Sequence, residues 1–121
     1  MRTLKVLALL SLSAAPAVAA SSTSTGQISV TQVINLIERS STDNAARNAV
    51  MAYLAGVGEA TSLLVAESAR RLEGGLVCRS TLGISSEAAL IALSATASAQ
   101  RQETPATPLL VADMFARAGC N

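Results

Sequence analysis

Cys78 and Cys120 are the only cysteines in a chain of 121 residues that has no histidine at all. A cysteine nucleophile needs a neighbouring base or a strongly cationic setting to form its thiolate. Cys78 has only Arg79 beside it in the sequence. Serine nucleophiles meet the same gap, because beyond Lys5 there is no lysine to stand in for the missing imidazole. General acid-base work by paired carboxylates finds no local support either. Glu38, Asp43, Glu59, Glu67, Glu73, Glu87, Glu103 and Asp113 are never three or four apart, so no two share a helical face within one turn. Two cysteines completed by carboxylates are an uncommon zinc set. Gly56-Val57-Gly58 is a lone G-x-G inside a helical pattern and lacks the context of a phosphate loop. The residues predict no catalysis, no cofactor and no metal.

The cysteines are read by compartment. Residues 1–20 have the plan of a secretory signal: Arg2 and Lys5, then the apolar run Val6 to Leu12, then small residues at Ala17-Val18-Ala19-Ala20. The run is about half the roughly 20 residues of a membrane anchor, and Pro16 interrupts its continuation. Residues 21–28 then form a polar lead expected to be loose, and 29–121 form one helical domain. No later apolar run is expected to span a bilayer. Removal of the signal leaves seven arginines against eight carboxylates, a net charge of −1. A nearly neutral surface with 2% aromatic residues suits neither phosphate contacts nor base stacking, so no nucleic-acid partner is expected. In an oxidising space two cysteines in a small domain read first as a disulfide, Cys78 to Cys120. An intermolecular bridge or free thiols are the alternatives.

The positioning elements are all helical. Ser29 caps a first helix at about 30–40, with Gln32 at the capping-box position and Val30, Val33, Ile34 and Ile37 on its apolar face. Thr42 or Asp43 caps a long second helix whose face runs Ala46, Ala49, Val50, Tyr53, Leu54, Val57, Ala60, Leu64, Ser68 and Leu72, up to Gly74-Gly75. Met51 and Leu63 lie off that face and imply a second contact, within the domain or across a dimer. Gly56 and Gly58 weaken the helix, which predicts close approach of another backbone there. Ser85 or Ser86 caps a third helix that reads on to near Arg101. After Pro105, Thr107 caps a fourth with Pro108 in first position, closing at Gly119-Cys120. The expected fold is all-α: a small four-helix domain, short, long, medium, short, with one long central helix and one disulfide.

Without reactive groups, recognition of a partner is the remaining role. The polar, proline-bordered connection at 100–107 reads as a stiff loop whose restricted backbone lowers the cost of binding. Arg101, Gln102, Glu103 and Thr104 are its candidate partner-facing residues.

The stretch Tyr53-Leu54-Ala55-Gly56-Val57-Gly58-Glu59-Ala60 resembles the signature of the Rap/Tai family of immunity proteins, carried here by Tyr53, Gly56, Val57, Glu59 and Ala60. Cys78, the helix entry Gly83-Ile84-Ser85, and the run from Pro105 through Phe115 to Cys120 follow in the same order, so the resemblance covers roughly 29–120. Many members carry two further cysteines, near the end of the first helix and just before the tyrosine. Here those regions read Glu38-Arg39-Ser40-Ser41 and Val50-Met51-Ala52, and Arg79-Ser80 replaces a common proline. The resemblance implies a periplasmic, often dimeric helical protein that blocks a peptidoglycan amidase effector of type VI secretion by covering its active groove. Two alternatives stand beside it. One is a periplasmic acid-stress chaperone of the Hde type, in which protonated carboxylates expose apolar surface. The other is a general envelope binding module.

Overall fold

The computed structural model describes residues 22–121; the signal expected over 1–20 lies outside them. Four helices follow one another: α1 (Val30–Arg39), α2 (Asn44–Arg71), α3 (Ser86–Ser94) and α4 (Ala106–Ala118), with one 3-10 turn at Ser98–Gln100. Among the described residues the only β-type pairings are two isolated bridges, Ser22 with Ile28 and Ser29 with Pro105. The all-α, disulfide-linked architecture with one long helix is as expected.

The helix starts follow side-chain chemistry. Ser29 Oγ accepts the Gln32 amide at 3.1 Å. Asp43, not Thr42, caps α2, its Oδ1 accepting the amides of Ala45 (2.8 Å) and Ala46 (3.2 Å). Ser85, not Ser86, caps α3 by accepting the Ala88 amide. Each side-chain oxygen satisfies a donor that the first turn leaves open.

Two elements differ from expectation. α3 stops at Ser94 and is the shortest helix, nine residues long. The Arg101 guanidinium turns back onto it, Nε donating to Thr96 O at 2.9 Å and Nη2 to Ser94 O at 3.1 Å, and so takes carbonyls that further helix would have used. α4 begins at Ala106 with Pro105 as its cap, so Thr107 and Pro108 lie inside the first turn. The Ala106 amide donates to Ile28 O at 2.9 Å, which fixes the start one residue ahead of Thr107. Proline is tolerated there because first-turn amides have no partner within the helix.

The core lies where α1, α3 and α4 meet the first half of α2. Val30, Val33, Ile34 and Ile37 of α1 pack with Val50, Leu54, Ala89, Leu93, Ala106 and Leu110. The buried face of α2 ends at Thr61. Leu64 and Leu72, expected to continue it, are 71% and 62% exposed. Length explains this. A helix of 28 residues is about 42 Å long, whereas α1 and α4 reach only about 15 and 20 Å. The second half of α2 therefore runs past its neighbours. By length and composition α2 also holds an 18-residue stretch apolar enough to cross a membrane, with a mean hydropathy of 1.5, which differs from the expectation that no such segment follows the signal. Its first half is engaged in the core just described.

Gly58 marks the crossing point. A Cβ there would sit 3.7 Å from Gly83 Cα, so the link after α2 passes against the helix at this position. At Gly56 nothing lies within 4 Å, so the expected close approach holds for one glycine of the two.

Candidate functional site

The loop after α3 is bound to the rest of the chain through each of its candidate residues. Arg101 caps α3 as described, and its carbonyl accepts the Thr31 amide at 3.2 Å. Gln102 Nε2 donates to Ser22 O at 2.9 Å. Glu103 Oε2 accepts the Ser24 amide at 3.0 Å and the Ser24 hydroxyl at 2.7 Å. The Thr104 hydroxyl donates to Gln100 O, and its carbonyl accepts the Val30 amide at 2.9 Å. The four residues thus form one continuous segment that clamps the lead and the start of α1. The amide of Ser24, followed by its hydroxyl, holds the Glu103 carboxyl below the ordinary glutamate value.

The lead at 22–28, expected to be loose, has structure of its own. Thr23 is buried; its amide donates to Gln27 O, its carbonyl accepts the Gly26 amide, and its Oγ1 accepts the Gln27 amide. Gly26 has a φ of 78°, the left-handed conformation that glycine takes without a Cβ penalty. Nothing local in the sequence marks the partners 79 and 80 residues downstream, the Glu103 acceptor and the Gln102 donor.

The signature residues on α2 divide between two sides of the helix. Tyr53, Gly56, Val57 and Ala60 line a groove of about 410 Å³ with Leu64, Thr107 and Val111. The Tyr53 hydroxyl is 2.9 Å from Thr107 Oγ1, which joins α2 to α4. Burial pushes the Tyr53 hydroxyl up from its ordinary value, against the opposing hydrogen bond. Glu59 lies on the other side, in a larger groove of about 770 Å³ between α2 and the link at 82–86. Met51, Leu54, Ala55, Gly58 and Leu63 form its α2 wall, and Leu82 and Ile84 face them. Glu59 is the one charged residue of that lining, and among the described residues it makes no ion pair. The sequence carried a trace of this groove in Met51 and Leu63, the two apolar residues off the main face of α2.

Cys78 and Cys120 form the expected disulfide, with Cα atoms 3.9 Å apart. Backbone bonds continue the attachment: Val77 and Asn121 exchange amide and carbonyl at 3.1 and 3.0 Å, and the Arg79 amide donates to Ala118 O at 2.9 Å. The bond and these contacts fix the link between α2 and α3 onto the end of α4. Two carboxylates pair with arginines on their own helices, Asp113 with Arg117 and Glu67 with both Arg70 and Arg71, and Asp43 pairs with Arg39 across the turn between α1 and α2. Among the described residues no group of three or more acids and cysteines is placed to hold a metal ion.

No family profile, curated protein or solved structure matches this chain. The surface has to be read from its own geometry: two grooves flanking a long helix, and a loop fixed in one shape by hydrogen bonds.

Proposed function

We propose that this chain is a periplasmic immunity protein that binds a peptidoglycan amidase effector of type VI secretion and blocks it by bulk. The reading draws on the secretory plan of residues 1–20, on the resemblance carried by Tyr53, Gly56, Val57, Glu59 and Ala60, and on a disulfide suited to an oxidising space. The observation that carries it is the order of the loop at 101–104. Arg101, Gln102, Glu103 and Thr104 each hydrogen-bond to the chain itself. A segment already held in one conformation loses little further entropy when it docks, and rigid pre-organisation is what a steric inhibitor requires. Inhibition in this scheme needs no reactive group. The loop covers the groove of the enzyme and keeps the peptide stem out.

The test is inhibition. The mature chain, mixed with a type VI peptidoglycan amidase effector, should form a stoichiometric complex and stop peptidoglycan hydrolysis. Full activity of that amidase with the chain in excess would refute the reading. One observation favours the acid-stress chaperone instead. The carboxylates that hold the start of α2 and the lead, Asp43 and Glu103, both have lowered values and let go on protonation. Protection of an aggregating client at pH 2–3, with no effect on any amidase, would decide for it.

A further inference from the structure

The link between α2 and α3 carries main-chain groups that nothing in the fold uses. Over 81–85 burial alternates: Leu82 and Ile84 are half-buried, while Thr81, Gly83 and Ser85 are exposed. A period of two is the pattern of an extended chain with one face packed. Among the described residues the amides of 81–85 and the carbonyls of Thr81, Leu82 and Ile84 have no hydrogen-bond partner. The Gly83 carbonyl is the exception, accepting from Arg117 Nη2 of α4 at 3.3 Å. Successive residues of an extended chain direct their main-chain groups to opposite edges. Arg117 therefore covers the edge of Gly83, and the groups of Leu82 and Ile84 leave from the other. A Cβ on Gly58 would lie 3.9 Å from Leu82 O, which sets that open edge along the larger groove.

The rest of the groove is apolar with one charge. Met51 and Leu63, the first and last α2 residues of its wall, are 61% and 71% exposed. Glu59 has no cation among the described residues, and Arg117, the arginine that reaches the link, is already held by Asp113 at 2.7 Å.

We propose that this groove takes an extended peptide segment of another protein, one with apolar side chains at alternate positions and an arginine or lysine beside them. The segment adds as a strand along the open edge of the link. Its amides and carbonyls meet those of Leu82 and Ile84, its apolar side chains lie between Met51 and Leu63, and its cation meets Glu59. In strand addition the main chain supplies the affinity and alternate side chains supply the selection. The open main-chain groups favour this occupant over a lipid tail, which brings no donor or acceptor, and over a helix, which spends its own internally. The lone carboxylate favours a basic segment over an acidic one. Five residues of link span about 16 Å, room for about five residues of partner. Residues 101–104 take no part in this groove, so the proposal goes beyond the immunity reading and its test involves no amidase.

The test is NMR titration of the mature, oxidised chain with a panel of short capped peptides that alternate threonine with valine, leucine or phenylalanine and end in arginine. At least one should bind with a dissociation constant of about 100 µM or tighter, moving the Leu82 and Ile84 amides and protecting them from exchange. N-methylation along one edge of that peptide should weaken binding about tenfold, and along the other edge should leave it unchanged. Glutamate in place of the terminal arginine should weaken it about fivefold, and Glu59→Lys should reverse that preference. Leu63→Glu, at an exposed position, should abolish binding with helical circular dichroism unchanged. No binding by any panel member at about 1 mM overturns the proposal. So does indifference to N-methylation, or a preference for arginine that survives Glu59→Lys. A groove filled instead by a second copy, seen as a dimer that must dissociate before peptide binds, overturns it, as does one whose signals move with phosphatidylethanolamine–phosphatidylglycerol vesicles and with no peptide.

Discussion

Ser24 and Glu103 are 79 residues apart in the chain, and the hydroxyl of the first donates to Oε2 of the second at 2.7 Å while its amide donates to the same oxygen at 3.0 Å. One carboxylate oxygen therefore ties the N-terminal lead to the loop before α4. Glu103→Ala removes both bonds and should release residues 22–27, with the core intact. Hydrogen exchange or limited proteolysis should show the amides near Thr23 and Gln27 losing protection while those of α1 keep theirs. Unchanged protection in the lead would mean that the Thr23 turn stands without Glu103.

The same carboxylate gives the lead a pH dependence. Its folded value lies below its unfolded one, as does that of Asp43, which the Arg39 guanidinium and then the Ala46 and Ala45 amides hold down. Groups shifted in this direction contribute fully above their unfolded values and lose that contribution as the pH falls through the folded ones. Acidification below the ordinary glutamate value of 4.5 should therefore loosen the lead and the first turn of α2 before the core opens. NMR titration checks this. Glu103→Gln should abolish the acid step at Ser24 and leave the step at Ala45 and Ala46 in place.

The disulfide closes a loop with a sequence separation of 42. In the chain-entropy picture such a loop is worth about 4 kcal/mol, against a typical total of about 5–15 kcal/mol for a domain. Replacing both Cys78 and Cys120 with alanine should lower the denaturation midpoint by a corresponding amount. Urea unfolding of the double variant beside the oxidised protein measures it, and a loss under about 1 kcal/mol would show that the Val77–Asn121 backbone pair holds the closure by itself.

Two glycines should respond to alanine with opposite signs. At Gly56 a Cβ meets nothing within 4 Å, so Gly56→Ala should stabilise α2 by up to about 1 kcal/mol. At Gly75 a Cβ would fall 2.5 Å from Ser68 O and 2.7 Å from Ala69 Cα, both backbone atoms that cannot swing aside. Gly75→Ala should lower the melting temperature and fray the end of α2. Gly56→Ala also serves as the control that helix propensity is not the cause.

The helix starts at Ser29, Asp43 and Ser85 were legible because each depends on an oxygen two or three residues from the amide it accepts. The disulfide was legible by count. The end of α3 was not, because residues 95–100 have ordinary helical composition and the stop comes from Arg101, reaching back five and seven residues with its side chain. The start of α4 depends on Ile28, far away in sequence. The apolar face of α2 was read correctly at Ala46, Val50, Leu54 and Val57, whereas Ala49 and Ala60 are exposed and Thr61, outside the expected face, is buried. Beyond that, periodicity marked which side of the helix is apolar, while coverage depended on the lengths of its neighbours. The loop at 101–104 was legible as polar and bordered by proline, but nothing local revealed that the lead is what it grips.

The crossing of Gly83 over Gly58 divides α2 into two stretches with different fates. On one side, amide hydrogens should exchange only when the whole domain unfolds; on the other, beyond Thr61, the same unbroken spiral should unwind from its tip, a turn at a time, with little loss to the interior. A single rod thus works as foundation and as cantilever, and whatever grips the overhanging part adds its energy to a region that the fold itself leaves almost unsupported.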